Sequence, residues 1–143
     1  MRSGARPLDL WVTLYEHNLE MPIRDHLDQC DVITFWTWLA SGLPRLERNI
    51  ERLREVAPNQ QRMLGCYLWD YGAGAPMPMD MMKFQCERGL KWLQDGTIDG
   101  MIFLASCICD LGIDTVEWAR SWIKEVGPTM LRAPAARSAR TRV

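Results

Sequence analysis

The stretch Asp31–Val56, DVITFWTWLASGLPRLERNIERLREV, decides the fold class of this chain. Its first part, Asp31–Trp38, is rich in β-branched and aromatic residues, which favour a β-strand. The later part, Leu43–Val56, predicts a helix because its apolar residues recur at helical spacing. These residues form one stripe: Leu43, Leu46, Ile50, Leu53 and Val56. The stretch therefore predicts one strand followed by one helix, a βα unit.

The same alternation of strand and helix recurs along the whole chain. The predicted strands are Leu10–Glu16, Asp31–Trp38, Arg62–Tyr71 and Gly100–Ser106. The predicted helices are Met21–Gln29, Leu43–Val56, Met79–Gln94 and a last one whose buried stripe is Val116, Ala119, Trp122, Ile123 and Val126. Gly72–Pro78, GAGAPMP, predicts a loop. Alternation with connections of this length predicts an α/β fold with a parallel sheet and crossover helices.

Four βα units make up half of a (β/α)8 barrel of the TIM type, which needs eight units and about 250 residues. We expect residues 1–9 to be an N-terminal lead, residues 10–127 to hold the four units, and residues 128–143 to form a disordered basic tail. A small open flavodoxin-like sheet is the alternative. No GxGxxG or GxxxxGK pattern follows an early strand, which weighs against a nucleotide-binding fold and predicts no cofactor.

The sequence predicts that each of the first three strands has two chemically different faces. One face is aliphatic, as expected under helices, and the other mixes aromatic and polar residues. The mixed face contains Thr13, Tyr15, His17, Thr34, Trp36, Trp38, Gly65, Tyr67 and Trp69. Such a face resembles the lumen and mouth of a barrel enzyme. The alternative is an open sheet whose second face packs on larger helices.

Composition limits the functions that the chain could have. The 143 residues are 48% hydrophobic and 24% charged, which are ordinary values for one soluble domain. A net charge of −1 disfavours nucleic-acid binding, since such domains usually carry a basic excess. No apolar run approaches the roughly 18 residues of a membrane helix, and the chain shows no secretory signal, so we expect no membrane association.

Cysteine usage indicates a reducing environment. The five cysteines cannot all pair, and their spacing lacks a zinc pattern. A metal site from Cys107, Cys109 and a distant His is a weak alternative, and we predict none. Reduced cysteines favour a cytoplasmic location, although the sequence leaves localisation unknown.

A resemblance to a known family rests on the residues at the strand ends. These are YEHNL (residues 15–19), TFWTW (34–38), YLWDYG (67–72) and IFLAS (102–106). Together they resemble the C-terminal half of a TIM-barrel protein of the glycoside-hydrolase type, a group with uncharacterised members, over Leu10–Val126. The resemblance implies that the four strands correspond to the fifth to eighth of the barrel. The missing N-terminal half-barrel, or a second copy in a homodimer, would then be the partner.

Two carboxylates and a histidine are the candidate catalytic residues. Glu16 and His17 follow the first strand, and Asp70 follows the third. A pair of carboxylates could serve as general acid and as nucleophile or base in glycoside hydrolysis. Their alternation places Glu16 and Asp70 on the aliphatic face, so each needs a twist to point inward. The alternative is that they cap an element or pair with an Arg.

Aromatic residues at the strand ends are the candidate carbohydrate-binding residues. They are Tyr15, Trp36, Trp38, Tyr67, Trp69 and Tyr71. Aromatic faces stack on the apolar face of a pyranose, while Tyr O–H and Trp N–H groups supply hydrogen bonds. The sequence therefore predicts a carbohydrate ligand bound either by a glycoside-hydrolase-like enzyme or by a non-catalytic module. A third reading is an inactive fragment or a half-barrel that only self-associates.

Overall fold

The computed structural model describes residues 8–105, 107–129 and 131. The strands are β1 (Trp11–Tyr15), β2 (Val32–Trp36), β3 (Gln61–Tyr67), β4 (Trp69–Asp70), β5 (Ala75–Pro76) and β6 (Gly100–Leu104). The α-helices are α1 (Arg24–Leu27), α2 (Leu46–Val56), α3 (Met79–Asp95) and α4 (Asp114–Val126). Glu16–Glu20 and Ala40–Arg45 form 3-10 helices. The lead and the basic tail predicted at residues 1–9 and 128–143 lie mostly outside the described residues.

The predicted α/β fold with a parallel sheet is confirmed. Within the described residues the main sheet has four strands in the order β1-β2-β3-β6, and each neighbouring pair is parallel. The order follows the chain without reversal. Because parallel crossovers are right-handed, a sequential order places all the crossover helices on one face of the sheet.

The aliphatic face of the sheet packs against these helices. Leu14, Phe35 and Leu64 on this face are buried. Helix α2 buries the stripe Leu46, Ile50 and Leu53 in the same core. Helix α3 approaches closely at Gly89, where an added Cβ would lie 2.4 Å from Met101 Cε and 3.1 Å from Leu64 Cδ2. This packing is the main source of the burial that stabilises the fold.

The opposite face carries the mixed residues that the sequence predicts, and we call it the inner face. The strand register places Thr13 beside Thr34, and Tyr15, Trp36 and Gly65 in one row across three strands. The hydroxyls of Thr13 and Thr34 lie 3.0 Å apart, within hydrogen-bond distance. At two positions on this face, a large side chain covers a glycine of the neighbouring strand. Trp36 lies over Gly65, and Met63 lies over Gly100.

The third predicted strand, Arg62–Tyr71, was too long. β3 ends at Tyr67, and Trp69 and Asp70 form a separate antiparallel hairpin with Ala75 and Pro76. The second strand of this hairpin lies in the stretch predicted to be a loop. The Asp70 carboxylate accepts hydrogen bonds from the backbone N–H groups of Gly72 (2.9 Å) and Ala73 (3.4 Å). This side-chain bonding closes a turn that the strand pattern does not reveal.

The first predicted helix, Met21–Gln29, is also shorter than expected. Only Arg24–Leu27 is α-helical, and the 3-10 helix Glu16–Glu20 replaces the end of the predicted strand. Asn18 Oδ1 accepts the Tyr15 N–H at 2.8 Å, which ends β1 and turns the chain. None of the described helices is both long and apolar enough to span a lipid bilayer.

Candidate functional site

A cavity of about 570 Å³ opens at the carboxyl ends of β1 and β2. The residues that line it are Tyr15, Glu16, His17, Trp36, Thr37, Trp38, Leu39, Gly42 and Arg45. They come from the two strand ends and from the 3-10 helices that follow them. In open parallel α/β sheets, ligands bind outside the carboxyl ends of the strands. The cavity is therefore the candidate site, and its volume falls in the usual range for small-molecule pockets, about 300–1,000 Å³.

Five aromatic rings form one continuous cluster beside this cavity. The members of this aromatic cluster are Tyr15, Trp36, Trp38, Tyr67 and Tyr71. Trp38 is at the centre, with its ring centroid 5.7 Å from Tyr15, 6.0 Å from Tyr67 and 5.0 Å from Tyr71. Its contacts with Tyr15 and Tyr67 are edge-to-face, which is a favourable arrangement for aromatic rings. The cluster holds Trp38 in one orientation while leaving 48% of the residue exposed.

Trp36 forms the buried wall of the cavity. Its Nε1–H donates to Thr34 Oγ1 at 3.0 Å, and its ring lies 4.7 Å from that of Tyr67. A Cβ on Gly65 would lie 2.0 Å from Trp36 Cδ2, so only glycine leaves space for the indole over β3. The sequence at β2 and β3 thus fixes the position of this wall.

Glu16 and Arg45 form a two-point ion pair at the edge of the cavity. Arg45 Nε donates to Glu16 Oε1 at 2.6 Å and Nη2 donates to Oε2 at 2.8 Å. The hydrogen bond from Arg45 and its charge hold the pKa of Glu16 below its ordinary value, against a smaller opposing effect of burial. Glu16 is therefore a carboxylate at neutral pH and can accept hydrogen bonds, but it is poorly suited to donate a proton.

Two further polar side chains face the same cavity. His17 stacks on Tyr15 with a centroid distance of 6.1 Å and nearly parallel rings. Thr37 is buried, and within the described part of the chain its Oγ1 has no hydrogen-bond partner. A buried polar atom without a partner costs free energy, so this hydroxyl is a destabilising feature in the wall of the cavity.

Gly42 brings the second 3-10 helix close to these polar groups. An added Cβ there would lie 3.0 Å from Thr37 Cγ2 and 3.7 Å from Glu16 Oε2. Any larger residue would therefore crowd the polar side of the cavity. The glycine allows the backbone to approach while the side chains of Thr37 and Glu16 keep their positions.

Tyr67 adds a hydrogen-bonding group that stays protonated. Its hydroxyl lies 3.3 Å from that of Tyr15. Burial, followed by the contact with Tyr15, raises the pKa of Tyr67 well above its ordinary range. The Tyr67 phenol therefore remains protonated near pH 7 and can donate a hydrogen bond.

The structure brings most of the predicted site residues together, but not all of them. Tyr15, Glu16, His17, Trp36 and Trp38 line the cavity, and Tyr67 and Tyr71 join them through ring contacts. Asp70 does not line the cavity: it is buried in the β4–β5 hairpin, where its carboxylate accepts backbone N–H groups. Trp69, also in β4, packs against the hydrophobic core and, among the described residues, forms none of the ring contacts of the cluster.

Thr37 and Arg45 are site residues that the sequence analysis did not identify. Thr37 lies between two tryptophans whose alternation places it on the other face, but β2 ends at Trp36 and the alternation stops there. Arg45 is the last residue of the 3-10 helix Ala40–Arg45, directly before α2, and its partner Glu16 is 29 residues away.

The described residues contain no group of three His, Cys, Asp or Glu side chains that could hold a metal ion. All five cysteines are free thiols: Cys30, Cys66 and Cys86 are buried, Cys107 is exposed, and Cys109 is partly exposed and donates to the Ala105 carbonyl at 2.7 Å. The chemistry of the candidate site therefore rests on aromatic, hydroxyl, imidazole and ion-paired groups. Comparison of the chain with protein-family models, curated proteins and solved structures finds no match.

Proposed function

We propose that this chain binds a carbohydrate in the cavity at the carboxyl ends of β1 and β2. The observation that carries this proposal is the exposed Trp38 indole, held by the aromatic cluster beside a group of polar side chains. Sugars present one apolar C–H face and a rim of hydroxyls. A ligand site with an aromatic wall and a few placed polar groups matches that chemistry.

The stacking surface is held in place before any ligand binds. Trp38 contacts Tyr15, Tyr67 and Tyr71, so its ring has little freedom left to lose on binding. Preorganisation of this kind reduces the entropic cost of association. A pyranose lying on the exposed part of the indole would remain within reach of the cavity.

The polar side of the cavity offers both donors and acceptors to sugar hydroxyls. Glu16 oxygens accept hydrogen bonds, and the Arg45 guanidinium donates them. A site that hydrogen-bonds a ligand hydroxyl discriminates strongly against analogues without it.

The geometry favours binding over hydrolysis by the carboxylates predicted from sequence. Glycoside hydrolysis needs one protonated carboxyl group and a second carboxylate across the scissile bond. Glu16 is held as a carboxylate by Arg45, and the Asp70 carboxylate is engaged by the hairpin backbone. We therefore propose a non-catalytic carbohydrate-binding role for this cavity.

The scaffold that we propose for this function is half of a (β/α)8-type barrel. The sequential order β1-β2-β3-β6 supports it, because the doubly wound open sheet of the flavodoxin type reverses its strand order. The alternation of large and small residues on the inner face also supports it, since small barrels fill their interior in this way.

Titration calorimetry with a panel of soluble oligosaccharides tests the proposal. We expect saturable binding of at least one of them by the wild-type chain, and weaker binding by Trp38→Ala. If a pyranose covers roughly 60 Å² of the indole, its removal costs about 1.5 kcal/mol, or about a tenfold higher Kd. Assays for released reducing ends run beside it should show no hydrolysis.

The matched control is Trp118→Ala. Trp118 belongs to a separate ring pair on α4 with Trp122, so its removal should leave the Kd unchanged. Binding that is equally weakened by both substitutions, or no binding of any oligosaccharide, would contradict the proposal. Hydrolysis that disappears in Glu16→Gln would replace it with an enzymatic function.

A further inference from the structure

The inner face of the sheet and its two outer strands are incompletely covered. Parallel sheets are normally buried on both faces. Here Thr13 is exposed in the middle of β1, and Trp11 and Leu104, also on this face, are 52% and 37% exposed. These side chains belong to the two outermost strands of the sheet.

Both outer strands present a free edge within the described residues. β1 pairs only with β2, and β6 pairs only with β3. Unpaired edges with exposed apolar side chains are templates for pairing with another chain. Leu8 and Leu10, which lead into β1, are likewise exposed, at 86% and 51%.

The two edges complement each other. All four described strands of the sheet run in the same direction, so the β1 edge of one copy can pair in parallel with the β6 edge of another. A twofold axis would form this contact twice and leave no free edge. The result would have eight strands, the number at which side chains fill a closed barrel.

We propose that the inner face and both sheet edges dock a second copy of this chain, giving a twofold dimer with an eight-stranded parallel barrel. Twofold dimers are the most common soluble oligomers. The net charge of −1 means that two copies repel each other only weakly. The exposed Trp11 and Leu104 side chains would become buried at the barrel interior and its seams.

The dimer also completes the candidate site. In the closed ring, β1 has β2 on one side and β6 of the second copy on the other. The partner's Leu104 and the turn after it would therefore border the cavity beside Tyr15 and His17. This inference concerns assembly and stands independently of whether the cavity binds a carbohydrate.

Size-exclusion chromatography with light scattering on the full chain tests the proposal. We expect the wild type to elute with twice the 16.5 kDa mass of one chain. Leu104→Lys should elute at the mass of one chain, because the dimer would bury an unpaired ammonium group. Circular dichroism verifies that this variant remains folded, as expected for a partly exposed position.

Ile123→Lys is the matched control. Ile123 is an apolar residue of α4 with 40% exposure, outside the sheet edges, so this variant should remain dimeric. If Leu104→Lys does not fold, Trp11→Glu at the other edge provides the same test. A wild type that is monomeric or polydisperse, or a dimer that survives a folded edge variant, would overturn the proposal.

Discussion

Substitution of Gly65 by alanine should destabilise the protein because the new methyl group would overlap the indole ring of Trp36. An ideal Cβ at this position would lie 2.0 Å from Cδ2 and 2.2 Å from Cε2 of Trp36. Carbon atoms pack best at about 3.5–4.0 Å, so the ring must move by roughly 1.5 Å. That movement would break the 3.0 Å hydrogen bond from Trp36 Nε1 to Thr34.

The expected cost follows from these two effects. Overpacking in a well-packed core typically costs about 1–3 kcal/mol, and a lost hydrogen bond about 0.5–1.5 kcal/mol. Alanine also lowers the conformational entropy of the unfolded chain, which stabilises the folded state by about 0.4–1 kcal/mol. The net loss should be roughly 2–3 kcal/mol, a decrease of about 8 °C in Tm.

Urea unfolding monitored by tryptophan fluorescence measures this loss, and Gly100→Ala is the matched control. At Gly100 an added Cβ would lie 2.3 Å from Met63 Cε, the end of a flexible side chain that can move away. Neither glycine has a positive φ, so backbone strain does not enter the comparison. We expect Gly100→Ala to cost less than about 1 kcal/mol. Equal costs for the two variants, or an unchanged stability for Gly65→Ala, would refute the reasoning.

Two further predictions concern titration and thiol reactivity. Because Arg45 lowers the pKa of Glu16, the ion pair stabilises the fold above the ordinary pKa of 4.5, and this contribution disappears as the pH falls through the folded-state pKa. Glu16→Gln should therefore lower the urea midpoint more at pH 7 than at pH 3; an equal difference at the two pH values would contradict the assignment. The contact with Cys86, together with burial, raises the pKa of Cys66, so maleimide should label Cys107 in the native protein and reach Cys66 and Cys86 only after unfolding. Rapid native labelling of the buried pair, read by peptide mass spectrometry, would show that the core is open.

The sequence was sufficient to predict the α/β class, the parallel sheet and its two faces. The periodicity of α2 and the alternation in β2 reflect burial against a core, which constrains many residues at once. Bounds were predicted less well where a single side chain interrupts an element. Asn18 ends β1 by accepting the Tyr15 N–H, and Asp70 closes a hairpin after β3.

The candidate site was predictable in its aromatic part and less so in its polar part. Aromatic residues at consecutive strand ends meet at the same edge of a parallel sheet, so their convergence follows from strand order. The pairing of Glu16 with Arg45 depends on how two 3-10 helices pack, which no local pattern encodes. The exclusion of Asp70 from the cavity was also hard to predict. The direction of its side chain is set by hydrogen bonds between its carboxylate and the backbone of the turn that follows.

The most direct test of the proposed carbohydrate site uses the seven tryptophans as internal probes. Each indole N–H gives its own resonance in a nitrogen–proton correlation spectrum, and single substitutions assign them. The protein is titrated with an oligosaccharide whose binding was detected by calorimetry. The Trp38 and Trp36 resonances should then shift saturably, while those of Trp118 and Trp122 on α4 remain unchanged. Saturable shifts confined to the α4 tryptophans, or no shift at Trp38, would contradict the account.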